Sequence, residues 1–188
     1  MSNSKAILSL ILVLFAALLA ACSGNQAPEI AADFKLPDSN GNMVSLADEL
    51  QENEQVVLVF YYGAFCSACM DQLKEIGSDL AKYDEKGARV LAIAVQSLEG
   101  ADRSARVTHD QFPILADPDH VVAEAYGVYD LLPEDEGEST PSVFVINKDR
   151  EIVWKHINTS IFEDGEEPAY PSCGGDRVHS EIILENLS

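Results

Sequence analysis

Residues 56–73, Val-Val-Leu-Val-Phe-Tyr-Tyr-Gly-Ala-Phe-Cys-Ser-Ala-Cys-Met-Asp-Gln-Leu, constrain this chain more than any other stretch. The apolar, β-branched and aromatic run from Val56 to Tyr62 reads as a buried strand. The break at Gly63-Ala64 leads into a helix-compatible segment. Cys66 and Cys69 therefore fall at a helix start. A thiol is a weak nucleophile until it ionises, and the unpaired N–H groups and positive dipole end of a helix N-terminus favour the thiolate. Cys66 is placed to attack. Cys69 lies about one helical turn further along the same face, within reach of a mixed disulfide held on Cys66. The pattern predicts a reversible dithiol.

Further along, Ser67–Tyr83 carries Met70, Leu73, Ile76, Leu80 and Tyr83 at helical spacing, with Gly77 as a candidate kink and Gly87 as the stop. Arg89–Val95 is a second buried strand, so strand, helix and strand form a parallel crossover. Before this unit, Phe34–Leu36 and Met43-Val44 flank an Asn40-Gly41 turn and read as a hairpin, and Ser45 caps a short helix with Asp48 three residues on. After it come a polar helix over Glu99–His109, a short strand over Phe112–Leu115, and a helix from Asp117 or Asp119 to Tyr126 that ends at Gly127. Pro141–Asn147 and Glu151–His156 form a second hairpin, and Arg177–Leu187 a C-terminal helix with Ile182, Ile183 and Leu187 inward.

The apolar strand, aromatic residue, C-x-x-C and helix, together with Thr140-Pro141 and the strand Ser142–Asn147, resemble the redox centre of thioredoxin-fold proteins. More narrowly, Phe34–Leu46, the dithiol segment, Arg89–Val95 and Phe112–Pro118 are similar to the alkyl hydroperoxide reductase/thiol-specific antioxidant branch, which includes the peroxiredoxins; the likeness covers Pro28 to Lys155. It implies an α/β, thioredoxin-like fold, a central mixed sheet flanked by helices with an N-terminal β-hairpin extension. It also implies Cys66 and Cys69 as a catalytic pair that closes a disulfide, Phe65, Thr140 and Pro141 beside substrate, and a cis peptide before Pro141. Peroxiredoxins typically carry Pro-x-x-x-Thr/Ser-x-x-Cys at this strand end. That motif aligns Tyr62 with the proline, Cys66 with the hydroxyl residue and Cys69 with the peroxide-reacting cysteine, so both the proline and the hydroxyl are replaced here.

The chain opens with Lys5 and an apolar run from Ala6 to Ala21, shorter than the roughly 20 residues of a comfortable membrane span. Leu19-Ala20-Ala21-Cys22-Ser23-Gly24 resembles a bacterial lipobox, in which the cysteine is lipidated. The organisation expected is a signal peptide over 1–21, a lipidated N-terminus and tether over 22–29 with the lipid on Cys22, and one domain over 30–188. The resemblance places the protein in the cell envelope, facing the periplasm, on the outer membrane rather than the inner. Loss of residues 1–21 removes Lys5 and no acid, moving the formal charge from −20 to −21. Such an acidic surface repels nucleic acid and anionic headgroups, which leaves acyl chains to hold the membrane.

Three functions compete on these residues. The first is a membrane-anchored thiol-disulfide oxidoreductase acting on protein thiols through Cys66-x-x-Cys69. The second is a peroxiredoxin-like thiol peroxidase that reduces hydroperoxides and is restored by a reductant. The third is a non-catalytic lipoprotein in which Cys66, Cys69, Cys173 and His179 supply four ligands for zinc or copper. The first leads, and neither it nor the second calls for a metal or cofactor. Tyr61, Tyr62 and Phe65 read as strand core and as walls of the dithiol, Trp154 as a sheet-packing aromatic, and Cys173 as a leftover thiol. Arg150 invites comparison with an arginine that supports a reactive thiolate, but its turn setting assigns it to solvent; His109, His120 and His156 show no partner.

Overall fold

The computed structural model describes residues 27–131, 137–158 and 177–188. Lys35–Pro37 (β1) and Met43–Ser45 (β2) pair antiparallel as the Asn-Gly turn predicts. Asp38 secures that turn by accepting the N–H groups of Asn40 and Asn42, while Gly41 takes the positive φ of 84° that a side chain disfavours. Ser45 then caps Leu46–Glu52 (α1), its Oγ accepting the Asp48 N–H at 3.1 Å.

Gln55–Phe60 (β3) leads into Ser67–Ser78 (α2), Leu80–Glu85 (α3) and Ala88–Ala94 (β4). The helix expected to run unbroken to Tyr83 breaks at Asp79. Cys69, Met70, Leu73 and Ile76 still meet the core from α2, and Tyr83 meets it from α3, so the apolar spacing survives the break. At Gly77, just before the break, the Gln111 side chain packs where a Cβ would stand and its Nε2 donates to the Gly77 carbonyl at 3.3 Å.

Leu98–Val107 (α4), Ile114–Ala116 (β5) and Val121–Ala125 (α5) follow, each displaced by a few residues from its expected bounds. Asp117 stops short of the helix and caps α5 from outside, its Oδ2 accepting the N–H groups of Val122 and Ala123 at 3.0 and 2.9 Å. Ser142–Asn147 (β6), Ile152–Ile157 (β7) and Ser180–Glu185 (α6) complete the described elements. In α6 the inward residues are Ile183 and Leu184, with Leu187 beyond it. Ile182, expected inside, is 43% exposed. The shorter helix starts three residues later than expected, and the preceding residues serve the site described below.

The second sheet has the order β5-β4-β3-β6-β7. β3 pairs parallel with β4, and β4 with β5, whereas β6 runs antiparallel to both β3 and β7. This is the mixed sheet the resemblance implied, with the β1–β2 hairpin as a separate small sheet. Both of its faces are covered, which explains why β3 is apolar throughout and does not alternate. Val57 and Val59 face the layer formed by α2, α3, α4 and α6; Val56, Leu58 and Phe60 face α1 and α5. Among the described residues, no helix is long and apolar enough to cross a membrane.

Three smaller expectations are corrected. Every described peptide bond is trans, including Thr140–Pro141. Arg150 is not given over to solvent: it takes φ 65° in the β6–β7 turn, and its Nη2 donates to the Ala31 carbonyl at 2.6 Å, tying the N-terminal segment down. His120 is not without a partner, since it stacks on Tyr129 at 4.2 Å between ring centroids and pairs with Glu124 at 3.0 Å. The segment expected to be a signal peptide, Cys22, residues 132–136 and Cys173 lie outside the described residues.

Candidate active site

The C-terminal end of β3 delivers Tyr61 and Tyr62, both fully buried, and Gly63 then turns the chain. Gly63 takes φ 150°, and a Cβ on it would meet the Phe65 ring at 2.9 Å, so this residue type is required twice over. The turn closes through the Cys66 N–H to the Gly63 carbonyl at 3.2 Å, and the helix begins with the Met70 N–H to the Cys66 carbonyl at 3.0 Å. Cys66 occupies the N-cap of α2. Its Sγ accepts the Cys69 N–H at 3.4 Å, which is the role a serine or aspartate oxygen fills at most helix starts.

Both cysteines are completely buried and stand as thiols. Burial pushes the Cys69 thiol well above its ordinary range, and the hydrogen bond to Cys66 adds to this, while the charge of Arg177 pulls it back. The sulfur that takes the helix-start N–H is thus Cys66, while burial first and Cys66 second favour the protonated form of Cys69.

Arg177 had no signal in local sequence, lying 108 residues beyond Cys69. It is 9% exposed, and its Nη2 donates to both sulfurs, at 3.6 Å from Cys66 Sγ and 3.6 Å from Cys69 Sγ. Its guanidinium also stands over the Tyr62 ring at 5.8 Å from the centroid. Burial works against its charge, but the two cysteines outweigh that and raise its pKa. Side chains of α2 and α3 hold the segment that carries it. Gln72 Nε2 donates to the Val178 carbonyl at 2.9 Å, Glu75 accepts the Ser180 N–H at 3.1 Å and faces His179 at 3.1 Å, and the Tyr83 hydroxyl meets Ser180 Oγ at 3.1 Å. His179 therefore turns to Glu75 at the surface and not to the cysteines. Among the described residues no group of three or more potential ligands is set to hold a metal.

Thr140 and Pro141 are buried beside the strand end that leads to the cysteines. Ser142 pairs with Phe60 across the sheet, Ser139 Oγ donates to the Tyr61 carbonyl at 2.8 Å, and the Thr140 N–H reaches the Val128 carbonyl at 2.7 Å. Phe65 is 63% exposed and forms the rim, not the wall, of the dithiol. Behind it a cavity of about 310 Å³ is bounded by Tyr62, Gly63, Gln96, Arg103 and Glu138, and Gln96 donates to the buried Tyr61 hydroxyl at 2.8 Å. A larger space of about 400 Å³ lies between the N-terminal segment and α5, away from both sulfurs.

Comparison with known proteins agrees with this fold. The AhpC/TSA family model matches residues 24–155. Rv2521 of Mycobacterium tuberculosis (strain ATCC 25618 / H37Rv) is 30% identical over 138 residues, which cover 72% of this chain and 84% of that protein. Peroxiredoxin Bcp of Escherichia coli (strain K12) is 32% identical over 104 residues, covering 55% of this chain and 65% of Bcp. The fold is similar to the crystal structure of peroxidoxin BcpB from Mycobacterium tuberculosis, with a TM-score of 0.70 and 24% identity over 85% of this chain and 94% of that one.

Proposed function

The chain belongs to the AhpC/TSA family, and on that footing we propose that it is a thiol peroxidase working through the Cys66–Cys69 pair. This is the second of the three functions the sequence offered. The naming of its relatives favours it over general thiol-disulfide exchange, and exchange with a reductant survives as its second half.

The observation that carries the reading is the pairing of two buried thiols at the start of α2 with a guanidinium equidistant from both sulfurs. Cys66, as thiolate, attacks the nearer peroxide oxygen. The O–O bond breaks, the leaving oxygen takes a proton and departs as alcohol or water, and Cys66 becomes a sulfenic acid. The Cys69 sulfur then attacks Cys66 Sγ, an S–S bond forms, and the sulfenic oxygen leaves with the Cys69 proton as water. A thiol reductant returns the disulfide to the dithiol. The alignment with the common family motif would assign the first step to Cys69; the N-cap geometry, in which Cys66 Sγ accepts the Cys69 N–H, supports Cys66 instead. The cavity behind Phe65, with Tyr62, Gln96 and Arg103 as an aromatic wall and polar groups, abuts the turn that carries Cys66 but is lined by neither sulfur, so that turn must open for hydroperoxide to reach Cys66.

The test follows the sulfurs. In Cys69→Ser, hydroperoxide should leave a sulfenic acid on Cys66 that dimedone traps. Cys66→Ser should consume no peroxide. Full consumption by Cys66→Ser and none by Cys69→Ser would reverse the roles, and no consumption by the unaltered protein would end the reading. The lipobox-like Leu19–Gly24 supports, as a further part of the proposal, attachment to the cell envelope through Cys22. Loss of palmitate labelling and release from membranes in Cys22→Ala would test it.

A further inference from the structure

We propose that Arg177 sets the redox poise of the dithiol, making the Cys66–Cys69 disulfide easy to reduce. The proposal rests on that dithiol being the working redox pair and adds a direction to its chemistry.

The argument begins with what changes when the pair is reduced. The disulfide is neutral and accepts only weakly. Reduction by two thiols breaks the S–S bond, oxidises the two donors to one disulfide and leaves Cys66 as a thiolate, with one proton released and the other on Cys69. A cation 3.6 Å from both sulfurs interacts strongly with the thiolate and weakly with the disulfide, so its free energy appears on the reduced side of the equilibrium. Its burial matters as much as its distance. At 9% exposure the guanidinium acts through little intervening water, where a charge contact is felt more than at the surface.

The position is built, not incidental. The Tyr62 ring lies on one side of the guanidinium, its centroid 5.8 Å away. Gln72 grips the next residue by its carbonyl, and Glu75 holds the Ser180 N–H and faces His179. Gln72 and Glu75 belong to the same helix that begins at Cys66, so the sulfurs and the cation that faces them are referenced to one rigid element. Equal distance to the two sulfurs has a further consequence. The same guanidinium stabilises a thiolate on either cysteine, and so assists whichever sulfur leaves when the incoming reductant attacks the other.

The test is equilibration of the full chain with glutathione buffers of graded composition at pH 7, with the Cys66–Cys69 disulfide quantified by alkylation and peptide mass. Arg177→Met, which keeps a long side chain and removes the charge, should shift the equilibrium constant about tenfold toward the disulfide, a change of about 30 mV for a two-electron couple. Arg177→Lys should restore most of that shift. Glu75→Gln, which weakens the hold on Ser180 and His179, should move it the same way by twofold or threefold, and keeps the question answerable if Arg177→Met does not fold. Thiolate absorbance at 240 nm should appear at higher pH in Arg177→Met than in the unaltered protein, a shift that a purely structural role would not cause. Constants within twofold in Arg177→Met, or in Glu75→Gln where it alone folds, overturn the proposal. Peroxide is absent from this experiment, so a failed peroxidase reading and a failed role for Arg177 give different results. Absence of any Cys66–Cys69 disulfide in oxidised glutathione alone would overturn both.

Discussion

Gln72 offers a direct measure of how firmly the C-terminal segment is held against the dithiol helix. The side chain is 5% exposed, and its Nε2 lies 2.9 Å from the Val178 carbonyl, one residue from Arg177. Gln72→Leu keeps nearly the same volume, so the cost comes from the carbonyl that loses its donor and not from a cavity. A buried polar group deprived of its partner costs about 1–3 kcal/mol, and leucine recovers part of this by burying apolar surface, which leaves a net loss of about 1–2 kcal/mol. In a chain of this size that corresponds to about 2–8 °C in Tm. Gln72→Glu should be worse, because it sets an unpaired carboxylate against the same carbonyl in a buried site. Urea unfolding of the reduced protein should therefore give midpoints in the order unaltered, Leu, Glu, with an unchanged dependence on denaturant. A Leu variant as stable as the unaltered protein, or a Glu variant more stable than the Leu one, would show that Gln72 does not hold the segment.

Asp117→Ala removes the acceptor from two N–H groups at the start of α5 and should cost about 2–3 kcal/mol, whereas Asp117→Asn keeps an acceptor and should cost less. Burial, the largest influence on Asp117, raises its pKa against the N–H groups that lower it. Its ionisation is thus harder folded than unfolded, and the folded protein should lose stability as pH rises from the unfolded carboxyl value through the raised one, a slope that Asp117→Asn removes. Cys69 gives the same sign at higher pH. Its thiol is raised by burial first and by Cys66 second, so the reduced protein should keep its stability below the ordinary thiol range and lose it as pH climbs above that range, while the disulfide form shows no such loss from these two groups. Gly63→Ala must seat a Cβ against the Phe65 ring at φ 150° and should cost about 1–3 kcal/mol in urea unfolding, the range for strained backbone.

The parts of the fold legible in sequence were those decided locally. Asn40-Gly41 fixed the first hairpin, Ser45 the start of α1, and the unbroken apolar run of β3 a strand covered on both sides. Cys66 and Cys69 announced themselves by their spacing after that strand. What was missed depends on residues far apart in the chain. Asp79 breaks a helix whose apolar spacing continues through Tyr83, because α3 can keep Tyr83 on the core from a new direction and give its hydroxyl to Ser180. Leu184 replaces Ile182 inside because α6 begins at Ser180, where Glu75 receives the Ser180 N–H. The arginine beside the sulfurs is Arg177 and not Arg150, and the residues between β7 and α6 give no periodic pattern from which its approach could be read. A sequence scan sees charge and spacing; it does not see which distant guanidinium a fold will bury.

The central claim is tested most directly by a single turnover. The soluble chain lacking residues 1–22, fully reduced, is mixed with one equivalent of hydrogen peroxide, and thiols are counted over time and mapped by mass. Rapid loss of two thiols for each peroxide, both in a Cys66–Cys69 disulfide, is the predicted result. Persistence of both thiols in protein that still exchanges readily with a disulfide substrate would contradict it, and would leave a dithiol that shares the family's fold without its peroxide chemistry.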